Sequence, residues 1–526
     1  MRELSDRRDL GGKADSDDMP DAAWLEAIGL YALLPPSLQR WRPLVEEAAL
    51  FFLAALPPDR LNAILLGQLA LDVDAGPAQR LVTLLAQCPT LHKLGQVLAR
   101  QPRLDPELCR QLQSLESMPA TTSLEDVLAQ LRSELGESLA VEVASAALAE
   151  GSVAIVVPFT YEEDGRPRDG VFKVLRPGVE VRLAEELAIL PDLADLIERR
   201  AGELGLPALD YRDTLESIGR LLMQEIRLDE EQRHLVAARK FYADERDILI
   251  PRLLPWCTPQ VTAMERVFGS KLNDAELSAR QREELAETVV RALLAKPFWT
   301  RADPAIFHGD LHGGNLFVTP DGRLAVLDWS LVAHVSKADR EALLAAALGA
   351  FALDAPKIRH AIAALGSCGP DDPALIRIVE DALDRLVSEA RMPGFDWLLA
   401  LLDELALTQA AGFRGDLGLF RKSWLALSGV VRDLAGNVPA DLPLIDVGLR
   451  RFLAELPSRW FTSPHTRDFS THVSAMDLLD LCVAPWLAAM RLGARVQALG
   501  LQRLGDRQVQ GARALRPRLT PAAPRR

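Results

Sequence analysis

This chain has few cysteines and few aromatic side chains, and its acidic residues outnumber its basic residues. Only 5 of its 526 residues are cysteine, and no two of them form a Cys-x-x-Cys pair. Neither a disulfide framework nor a zinc cluster is therefore predicted. The formal net charge of −14 argues against a general nucleic-acid-binding protein. Aromatic residues make up 6% of the chain, whereas Leu, Ala, Glu and Arg dominate, and this composition favours helix.

Long apolar runs free of charge are also missing. The run LFFLAAL at 50–56 is short, and the stretch from Val473 to Met490 contains Asp477, Asp480 and Pro485. A spanning helix needs about 20 apolar residues, and an Asp at its centre costs about 2.5–3.5 kcal/mol. The first 21 residues are too polar for a signal peptide. We therefore expect a cytoplasmic protein, with peripheral contact at the inner face of the membrane left open.

What the chain does contain is a compact polar set within FHGDLHGGNLFVTPDGRLAVLD, residues 307–328. Asn315 follows Asp310 by five residues, and Asp328 ends an apolar run. Phosphoryl transfer to a hydroxyl uses one Asp to take the proton, and an Asn with a second Asp to hold Mg²⁺. Asp310 is therefore the candidate base, and Asn315 and Asp328 are the candidate metal ligands. A β-hairpin with solvated polar loops is the alternative interpretation.

The local pattern around that set predicts a hairpin. Residues 316–318 form an apolar strand, and the Asp-Gly pair at 321–322 readily takes the positive φ of a tight turn. The return strand at 323–327 then delivers Asp328 at its end.

Two apolar strands are predicted earlier, at 153–157 and 171–175, with a charged, turn-rich loop at 162–170 between them. Lys173 interrupts the second strand. A lysine there is often an edge residue that blocks strand pairing, but it also suits the strand lysine that grips the phosphates in kinases. Ala149, Gly151 and Ser152 precede the first strand, where a kinase carries its phosphate-covering loop.

A third strand is predicted at 261–267, and Phe268-Gly269 after it can act as a hinge. Met264 and Glu265 complete the candidate nucleotide-binding set. One long helix is predicted from Arg212 to Tyr242, carrying Glu225, Glu230 and Glu231. A kinase strand lysine needs such a helix-borne Glu as its partner.

The helical stretch 81–100 is predicted to be divided at Pro89. Its second part contains Lys93-Leu94-Gly95-Gln96, with Leu91, Leu94 and Leu98 on the apolar face. Gly95 costs about 1 kcal/mol relative to Ala in a helix, which points to close packing or a functional contact. Considered locally, Lys93 and Gln96 would be solvated.

Together these motifs resemble the UbiB/AarF family of atypical protein-kinase-like proteins. Lys93, Gly95 and Gln96 match the family's KxGQ motif, and residues 149–152 stand at the position of its alanine-rich loop. Residues 172–178, FKVLRPG, are similar to its lysine strand. Glu225 matches the first acid of its ExD motif, and Glu231 the helix Glu that pairs with Lys173. Residues 308–315 are similar to its catalytic loop.

The chain departs from the family pattern at a few positions. Arg227 replaces the second acid of ExD, Trp329 and Ser330 replace the Phe-Gly that follows the metal-binding Asp, and residues 149–152 read Ala-Glu-Gly-Ser. Lys173, Glu231 and the three acid and amide candidates in the catalytic segment are intact.

The resemblance implies an α+β, bilobal protein-kinase-like fold with a KxGQ segment over the active site and helices at the C-terminal end. It also implies bound ATP or ADP with Mg²⁺. The implied acceptor is a lipid or a quinone precursor, linked to quinone or isoprenoid-lipid metabolism. Alternatives are a small-molecule phosphotransferase of the aminoglycoside or choline kinase type, favoured by His308 to His312, and a non-catalytic nucleotide-binding scaffold.

The expected organisation is a disordered tail at 1–21, a helical region with the KxGQ motif at 22–135, a kinase-like N-lobe at 140–268, a C-lobe at 269–370, C-terminal helices at 371–500 and a basic tail at 501–526. The basic tail fits either contact with anionic lipid head groups or a solvated disordered end. The sequence gives no indication of the oligomeric state.

Overall fold

The computed structural model describes residues 20–28, 30–34, 36–99, 122–136, 141–206, 211–389, 392–408, 411–413, 416–436 and 441–514. These residues fall into two compact units. Unit 1 holds those up to Arg239 together with Pro251–Val267, and unit 2 holds Lys240–Ile250 and those from Phe268 onward. Helices combine with sheets that are mainly antiparallel, so the predicted α+β class is confirmed.

Unit 1 opens with short helices. They are α1 (Ala22–Ala27), α2 (Arg42–Ala55), α3 (Pro58–Leu69), α4 (Pro77–Gln87) and α5 (Pro89–Ala99), with 3-10 turns at Leu30–Leu33 and Pro36–Trp41. A proline in the first turn of a helix is tolerated because the N–H it lacks would have no partner there. The division predicted at Pro89 is confirmed. These helices share an apolar core that includes Leu25, Phe52, Ile64 and Cys88.

The sheet of unit 1 is antiparallel. Its strands are β1 (Glu142–Val143), β2 (Ala149–Glu150), β3 (Ala154–Glu163), β4 (Arg166–Leu175) and β6 (Val261–Glu265), in the order β1-β3-β4-β6 with β2 also on β3. The loop predicted at 162–170 is wrong, because β3 and β4 continue through most of it. Only Asp164 and Gly165 form the turn, with φ of 54° and 69°, as a tight hairpin requires.

Among the described residues, four further helices belong to unit 1: α6 (Leu124–Leu135), α7 (Val179–Glu203), α8 (Tyr211–Glu225) and α9 (Leu228–Phe241), whose last two residues belong to unit 2. The single helix predicted from Arg212 to Tyr242 is therefore wrong. The chain turns at Ile226 and Arg227, where the Arg227 N–H donates to the Gln224 carbonyl over 3.0 Å. Neither Gly nor Pro marks this break, so the local sequence gave no signal for it.

The described part of unit 2 contains two small sheets. One has the order β5-β10-β9-β7, formed by Ile248–Leu249 (β5), Ser270–Lys271 (β7), Leu316–Val318 (β9) and Leu324–Val326 (β10). The other pairs β8 (Ala305–His308) with β11 (Val332–Val335) in antiparallel register. The hairpin predicted at 316–327 is confirmed as β9 and β10, and its turn contains Gly322 at φ 83°.

The helices of unit 2 are α10 (Ala279–Val290), α11 (Lys337–Phe351), α12 (Ala355–Leu365), α13 (Pro373–Ser388), α14 (Phe395–Leu407), α15 (Leu417–Ala435), α16 (Asp441–Arg459) and α17 (Ala475–Ala514). A π turn at Arg291–Ala295 and a helical turn at Lys296–Phe298 extend α10. Polar side chains cap several N-termini, as helix starts require: Ser278, Ser336, Asp354 and Asp372. Helix α17 continues past residue 501, where the sequence predicted a basic tail.

No single helix in the described ranges is long and apolar enough to cross a membrane. The segments Leu38–Ala55 and Pro58–Leu69 meet the same test only as a pair, and they are bent by 119° at the break between them.

A buried cation organises the interior of unit 2. Arg340 is fully buried and donates to the carbonyls of Phe298 and Thr300 over 3.1 and 2.6 Å. His472 lies against this guanidinium and donates from Nε2 to the Phe298 carbonyl over 2.9 Å. Burial, helped by the Arg340 charge, lowers the pKa of His472 to about 4. The imidazole is therefore neutral in the folded protein at neutral pH.

This pKa predicts acid sensitivity of unit 2. An unfolded His titrates near pH 6.5, so protonation below that pH favours the unfolded chain and the free energy of unfolding falls as pH decreases. His472 accounts for about 2 kcal/mol of the free energy of unfolding that is lost between pH 7 and pH 5. In calorimetry, the decrease in Tm between pH 7 and pH 5 should be smaller for His472→Gln than for wild type. The control is a Gln substitution of the exposed His465. If the decrease were reduced equally in both variants, the assignment to His472 would be wrong.

Candidate functional site

A neutral histidine joins the two parts of the candidate catalytic segment, residues 307–328, in unit 2. His308 ends β8 and is 1% exposed. Its Nδ1 accepts the N–H of Asp310 over 3.2 Å, so Nε2 carries the proton and donates to the Leu327 carbonyl over 3.2 Å. Burial lowers the pKa of His308, which keeps the ring in this neutral form. The imidazole thus links the backbone of Asp310 to the residue before Asp328.

Asp310 and Asn315 are held in the loop that follows. The Asn315 amide nitrogen donates to the Asp310 carbonyl over 3.1 Å, which leaves the amide oxygen as the atom suited to a cation. The Asp310 carboxylate is about one-third exposed and lies 3.6 Å from Nε2 of His312. The loop is tight, because a Cβ on Gly313 would meet the Asn273 side chain at 2.0 Å.

Asp328 follows β10 in a conformation that few L-residues adopt. Its φ is 52°, a left-handed value that Asp and Asn tolerate better than other side chains. One carboxylate oxygen accepts the Ser330 N–H over 3.2 Å. Trp329 is fully buried and its ring contacts that of His308. The backbone at Asp328 is therefore fixed from both sides, as strained residues at functional sites often are.

The hairpin couples the two candidate metal ligands. The Leu327 N–H donates to the Asn315 carbonyl over 2.9 Å, so Asn315 and Asp328 belong to the same rigid element. Within the described part of the chain, no group of three His, Cys, Asp or Glu side chains could hold a metal ion by itself. An amide oxygen with a carboxylate fits Mg²⁺, which usually takes one or two protein ligands and completes its shell with water and phosphate.

In unit 1 the strand lysine has the predicted partner. The Nζ of Lys173 lies 2.8 Å from both carboxylate oxygens of Glu231. Lys173 lies between the buried Phe172 and Val174, which face the core of the sheet, so its side chain points to the other face. Glu231 is 3% exposed in the first turn of α9. The pairing of Lys173 with Glu231 is confirmed, and its catalytic role remains a prediction.

Of the other candidate nucleotide contacts of unit 1, Ala149, Met264 and Glu265 lie on the same sheet, and Gly151 and Ser152 lie between β2 and β3. Ala149 pairs with Val156, which in turn pairs with Lys173. Met264 pairs with Val171, which places it on the face of Lys173. Glu265 faces the other way.

The side chain of Glu265 is already engaged. It accepts from Nε of Arg252 over 2.8 Å and from the Arg252 N–H over 3.1 Å. The Glu265 N–H is engaged as well, since it donates to the Arg252 carbonyl over 2.9 Å, so the backbone carbonyl is the group of Glu265 suited to a ligand.

Glu225 joins the KxGQ helix to the loop before β3. Lys93 is 7% exposed, and its Nζ bonds one oxygen of Glu225. The hydroxyl of Ser152 donates to the other oxygen over 3.1 Å. The local expectation of a solvated Lys93 is therefore wrong, because this tertiary contact with the end of α8 buries it. Lys93, Ser152 and Glu225 form one cluster.

The rest of the KxGQ motif lies on α5. Leu91 and Leu94 pack against two separate apolar clusters, as predicted for the apolar face, while the side chain of Leu98 is outside the described residues. Gln96 lies 3.4 Å from the His92 ring one turn earlier. Gly95 is half-buried. The apolar side of α5 thus anchors the helix and leaves Lys93 for Glu225.

Arg227, which replaces the second acid of ExD, is half exposed. It lies 3.2 Å from Asp229 and 2.9 Å from Glu230. These contacts hold it at the start of α9.

Sequence reasoning assigned no role to Arg176, which ties together three segments. It is 6% exposed and donates to the Thr122 hydroxyl over 3.1 Å and the Ser152 carbonyl over 3.3 Å. It also bonds the Ala86 carbonyl near the end of α4, and lies 3.2 Å from Glu150. Burial lowers its pKa. Its position after a lysine strand was the only sequence signal.

Sequence reasoning also missed Glu186, which caps the KxGQ helix. This residue of α7 is fully buried, and it accepts the Thr90 N–H over 2.9 Å. Thr90 is the second residue of α5, where backbone N–H groups lack intrahelical partners and a negative charge is favourable. Arg60 from α3 compensates the charge over 2.7 Å. Burial raises the pKa of Glu186 despite these partners.

Comparison with known proteins gives a consistent result. The family described as the ABC1 atypical kinase-like domain matches residues 114–362. A chloroplastic protein of Arabidopsis thaliana, named "Activity of BC1 complex kinase 3", is 28% identical over 57% of this chain and 43% of that protein. A probable protein kinase UbiB of Aeromonas salmonicida is 24% identical over 77% of this chain and 73% of that protein.

These relatives are matched over part of their length. The chain spans less than half of the Arabidopsis protein, and 65% of a UbiB from Aeromonas hydrophila that is 25% identical over 66% of this chain. The KxGQ helix lies before the matched ABC1 range.

The Glu186 cap predicts that α5 depends on a residue of α7. Glu186→Gln removes the buried charge that Arg60 compensates, and breaking such a pair costs about 3 kcal/mol. We expect amide exchange across Pro89–Ala99 to accelerate about 100-fold, while exchange in β3 and β4 stays unchanged.

The matched control is Glu185→Gln, which removes the more exposed carboxylate that Arg60 also contacts, at 2.7 Å. If amide exchange across α5 accelerated equally in the two variants, Glu186 would not be a specific cap of this helix.

Proposed function

Because the chain belongs to the UbiB/AarF family of atypical protein-kinase-like proteins, we propose that it is a kinase-like phosphotransferase or ATPase that uses ATP with Mg²⁺. The observation that carries the proposal is the buried Lys173–Glu231 ion pair, with both carboxylate oxygens 2.8 Å from Nζ. A lysine held in this way is preorganised as a point charge for phosphate oxygens.

The residues of unit 2 have the complementary chemistry. Asn315 and Asp328 supply the oxygen ligands for Mg²⁺, which when bound neutralises charge that develops on the phosphates. Asp310 orients the attacking hydroxyl and takes its proton. The neutral His308 keeps the backbones of Asp310 and Leu327 in register, so the base and the metal ligand are positioned by one imidazole.

The nucleotide contacts of unit 1 complete the proposal. We assign Ala149, Gly151 and Ser152 to the phosphate side and Met264 with the backbone of Glu265 to the base. Either ATP or ADP satisfies these contacts. Ser152 already shares Glu225 with Lys93, so the position of the KxGQ helix and that of the phosphate loop are linked. This link favours the present family over phosphotransferases of the aminoglycoside type, which have no KxGQ segment.

The acceptor follows from the family alone. We propose a lipid-like molecule or a quinone precursor, in support of quinone or isoprenoid-lipid metabolism. Metabolite profiling of a deletion strain tests this part, since accumulation of a quinone precursor is expected and an unchanged quinone pathway would contradict it.

The proposed metal ligand can be tested without measuring turnover. Asp328→Asn keeps a side chain that tolerates φ 52°, so the fold should persist while the charge is lost. We expect the Mg²⁺-dependent part of the thermal shift with ATP or ADP to disappear. Asp321→Asn, in the exposed hairpin turn, is the control. A full Mg²⁺-dependent shift in Asp328→Asn would remove this residue from the metal site.

The proposed base should affect turnover but not binding. Asp310→Asn should lower nucleotide turnover about 100-fold or more, the usual contribution of a general base, while the nucleotide dissociation constant changes little. Lys173→Met should weaken binding itself, because the phosphate contact is lost. Wild-type protein that binds nucleotide with Mg²⁺ but shows no turnover that depends on Asp310 would be a scaffold, and the enzymatic proposal would be abandoned.

A further inference from the structure

Helix α9 is attached to the sheet of unit 1 by a neutral side chain as well as by an ion pair. The amide nitrogen of Gln232, the residue after Glu231, lies 2.9 Å from the Thr258 carbonyl and 3.1 Å from the Val261 carbonyl. It also donates to the Thr262 hydroxyl over 2.9 Å. Carbonyl oxygens only accept hydrogen bonds, so the NH₂ group of the side chain must face them. Gln232 therefore joins the first turn of α9 to the start of β6.

The two attachments of α9 lie side by side on the sheet. Lys173 of β4 and Thr262 of β6 are directly opposite each other in antiparallel register, so their side chains are neighbours on one face. The residues on either side of Thr262 are buried in the apolar core of the sheet, which places Thr262 on the other face. Glu231 bonds Lys173 and Gln232 bonds Thr262. Consecutive residues of α9 are thus held by cross-strand partners.

The turn before β6, which receives Gln232, is itself fixed on two sides. The Thr258 hydroxyl donates to Glu134 of α6 over 2.8 Å. The Gln260 carbonyl accepts the N–H of Leu175, the last residue of β4, over 3.0 Å. The turn is therefore tied to α6 and to the strand that carries the lysine, and Gln232 ties α9 to the same frame.

Charge distinguishes the two attachments. Phosphate oxygens that approach Lys173 compete with Glu231 for the same ammonium group. A neutral amide that bonds backbone and hydroxyl oxygens takes no part in this competition. The Gln232 attachment therefore persists when Lys173 is shared with phosphates. In protein kinases the position of the corresponding helix controls whether the lysine and the glutamate meet.

We propose that Gln232 is a positioning residue for the nucleotide site, which holds α9 on β6 so that Lys173 and Glu231 stay paired without a movement of the helix. The proposal rests on the proposed function for its ligand, a nucleotide with Mg²⁺. Gln232 acts through Glu231 and is assigned no contact with the nucleotide or the metal. Local sequence gives no signal for this role, because the acceptors of Gln232 lie 26 to 30 residues further along the chain.

Hydrogen exchange tests the attachment without nucleotide. Gln232→Met keeps the length and the helix propensity of the side chain and removes the amide. The variant should fold, because both carbonyl acceptors keep N–H donors within the turn. We expect amide exchange across Leu228–Phe241 to accelerate about tenfold, while exchange in β3 stays unchanged. The matched control is Gln260→Met, since the amide of Gln260 bonds Gln130 of α6 and Glu180 of α7 instead.

A double-mutant comparison separates positioning from general stabilisation. The nucleotide dissociation constant with Mg²⁺ is measured for Gln232→Met in the wild-type and in the Lys173→Met background. In the wild-type background binding should weaken about tenfold, because Glu231 no longer orients the lysine. In the Lys173→Met background the same substitution should change the dissociation constant less than about twofold, since no pair remains to be positioned. Gln260→Met should change it in neither background.

Two results would overturn the proposal. One is exchange across α9 that is the same in Gln232→Met as in wild type. The other is equal weakening of nucleotide binding in the two backgrounds, which would make Gln232 a general stabiliser of unit 1. Thr262→Val, which removes one acceptor and nearly keeps the shape, should accelerate the exchange of α9 as well and replaces Gln232→Met if that variant does not fold. Wild-type protein that bound no nucleotide would instead refute the proposed function, and faster exchange of α9 in Gln232→Met would still support the attachment.

Discussion

The two-residue turn between α8 and α9 positions the acids of two buried ion pairs of unit 1, Lys93–Glu225 and Lys173–Glu231. It places Glu225 at the end of one helix and Glu231 in the first turn of the next. The turn is fixed by apolar burial, since Ile226 and Leu228 are 9% and 0% exposed in a shared cluster. The pairing of Lys93 and of Lys173 therefore depends on this turn.

Burial makes these pairs mutually dependent. An unpaired charge in a protein interior is very costly, so removing one partner of a buried pair costs more than the pair itself contributes. The same rule governs Arg176 with Glu150 and Arg60 with Glu186. Each of these cations connects the helical extension or the loop before β3 to the rest of unit 1. The KxGQ helix is held at two points in its N-terminal half, at Thr90 by Glu186 and at Lys93 by Glu225.

In unit 2 a neutral side chain, His308, connects two segments of the chain where unit 1 uses buried ion pairs. A charged imidazole at His308 would need a compensating acid in a fully buried position, whereas the neutral ring donates from one nitrogen and accepts at the other. Its two bonds reach the backbone of Asp310 and of Leu327. The positions of Asp310 and Asp328 are thus set through backbone contacts of the imidazole.

Much of the chemistry could be predicted from the sequence, because it depends on short-range patterns. Lys173 stood out because it interrupts an apolar strand, the Asp-Gly pair predicted the β9–β10 hairpin, and Pro89 predicted the start of the KxGQ helix. Family resemblance then named Glu231 as a partner for Lys173. The roles of these residues in catalysis stay predictions, since geometry alone does not show turnover.

What the sequence determined by itself is therefore the inventory of reactive groups and the local elements that carry them. The tertiary structure decided which groups are paired, because burial depends on contacts between distant segments. Lys93 has the pattern of a solvated helix residue, and only the approach of Glu225, 132 residues away, buries it. The turn at Ile226 has no Gly or Pro and is imposed by packing. The cap by Glu186 likewise joins segments 96 residues apart, a separation at which no local pattern operates.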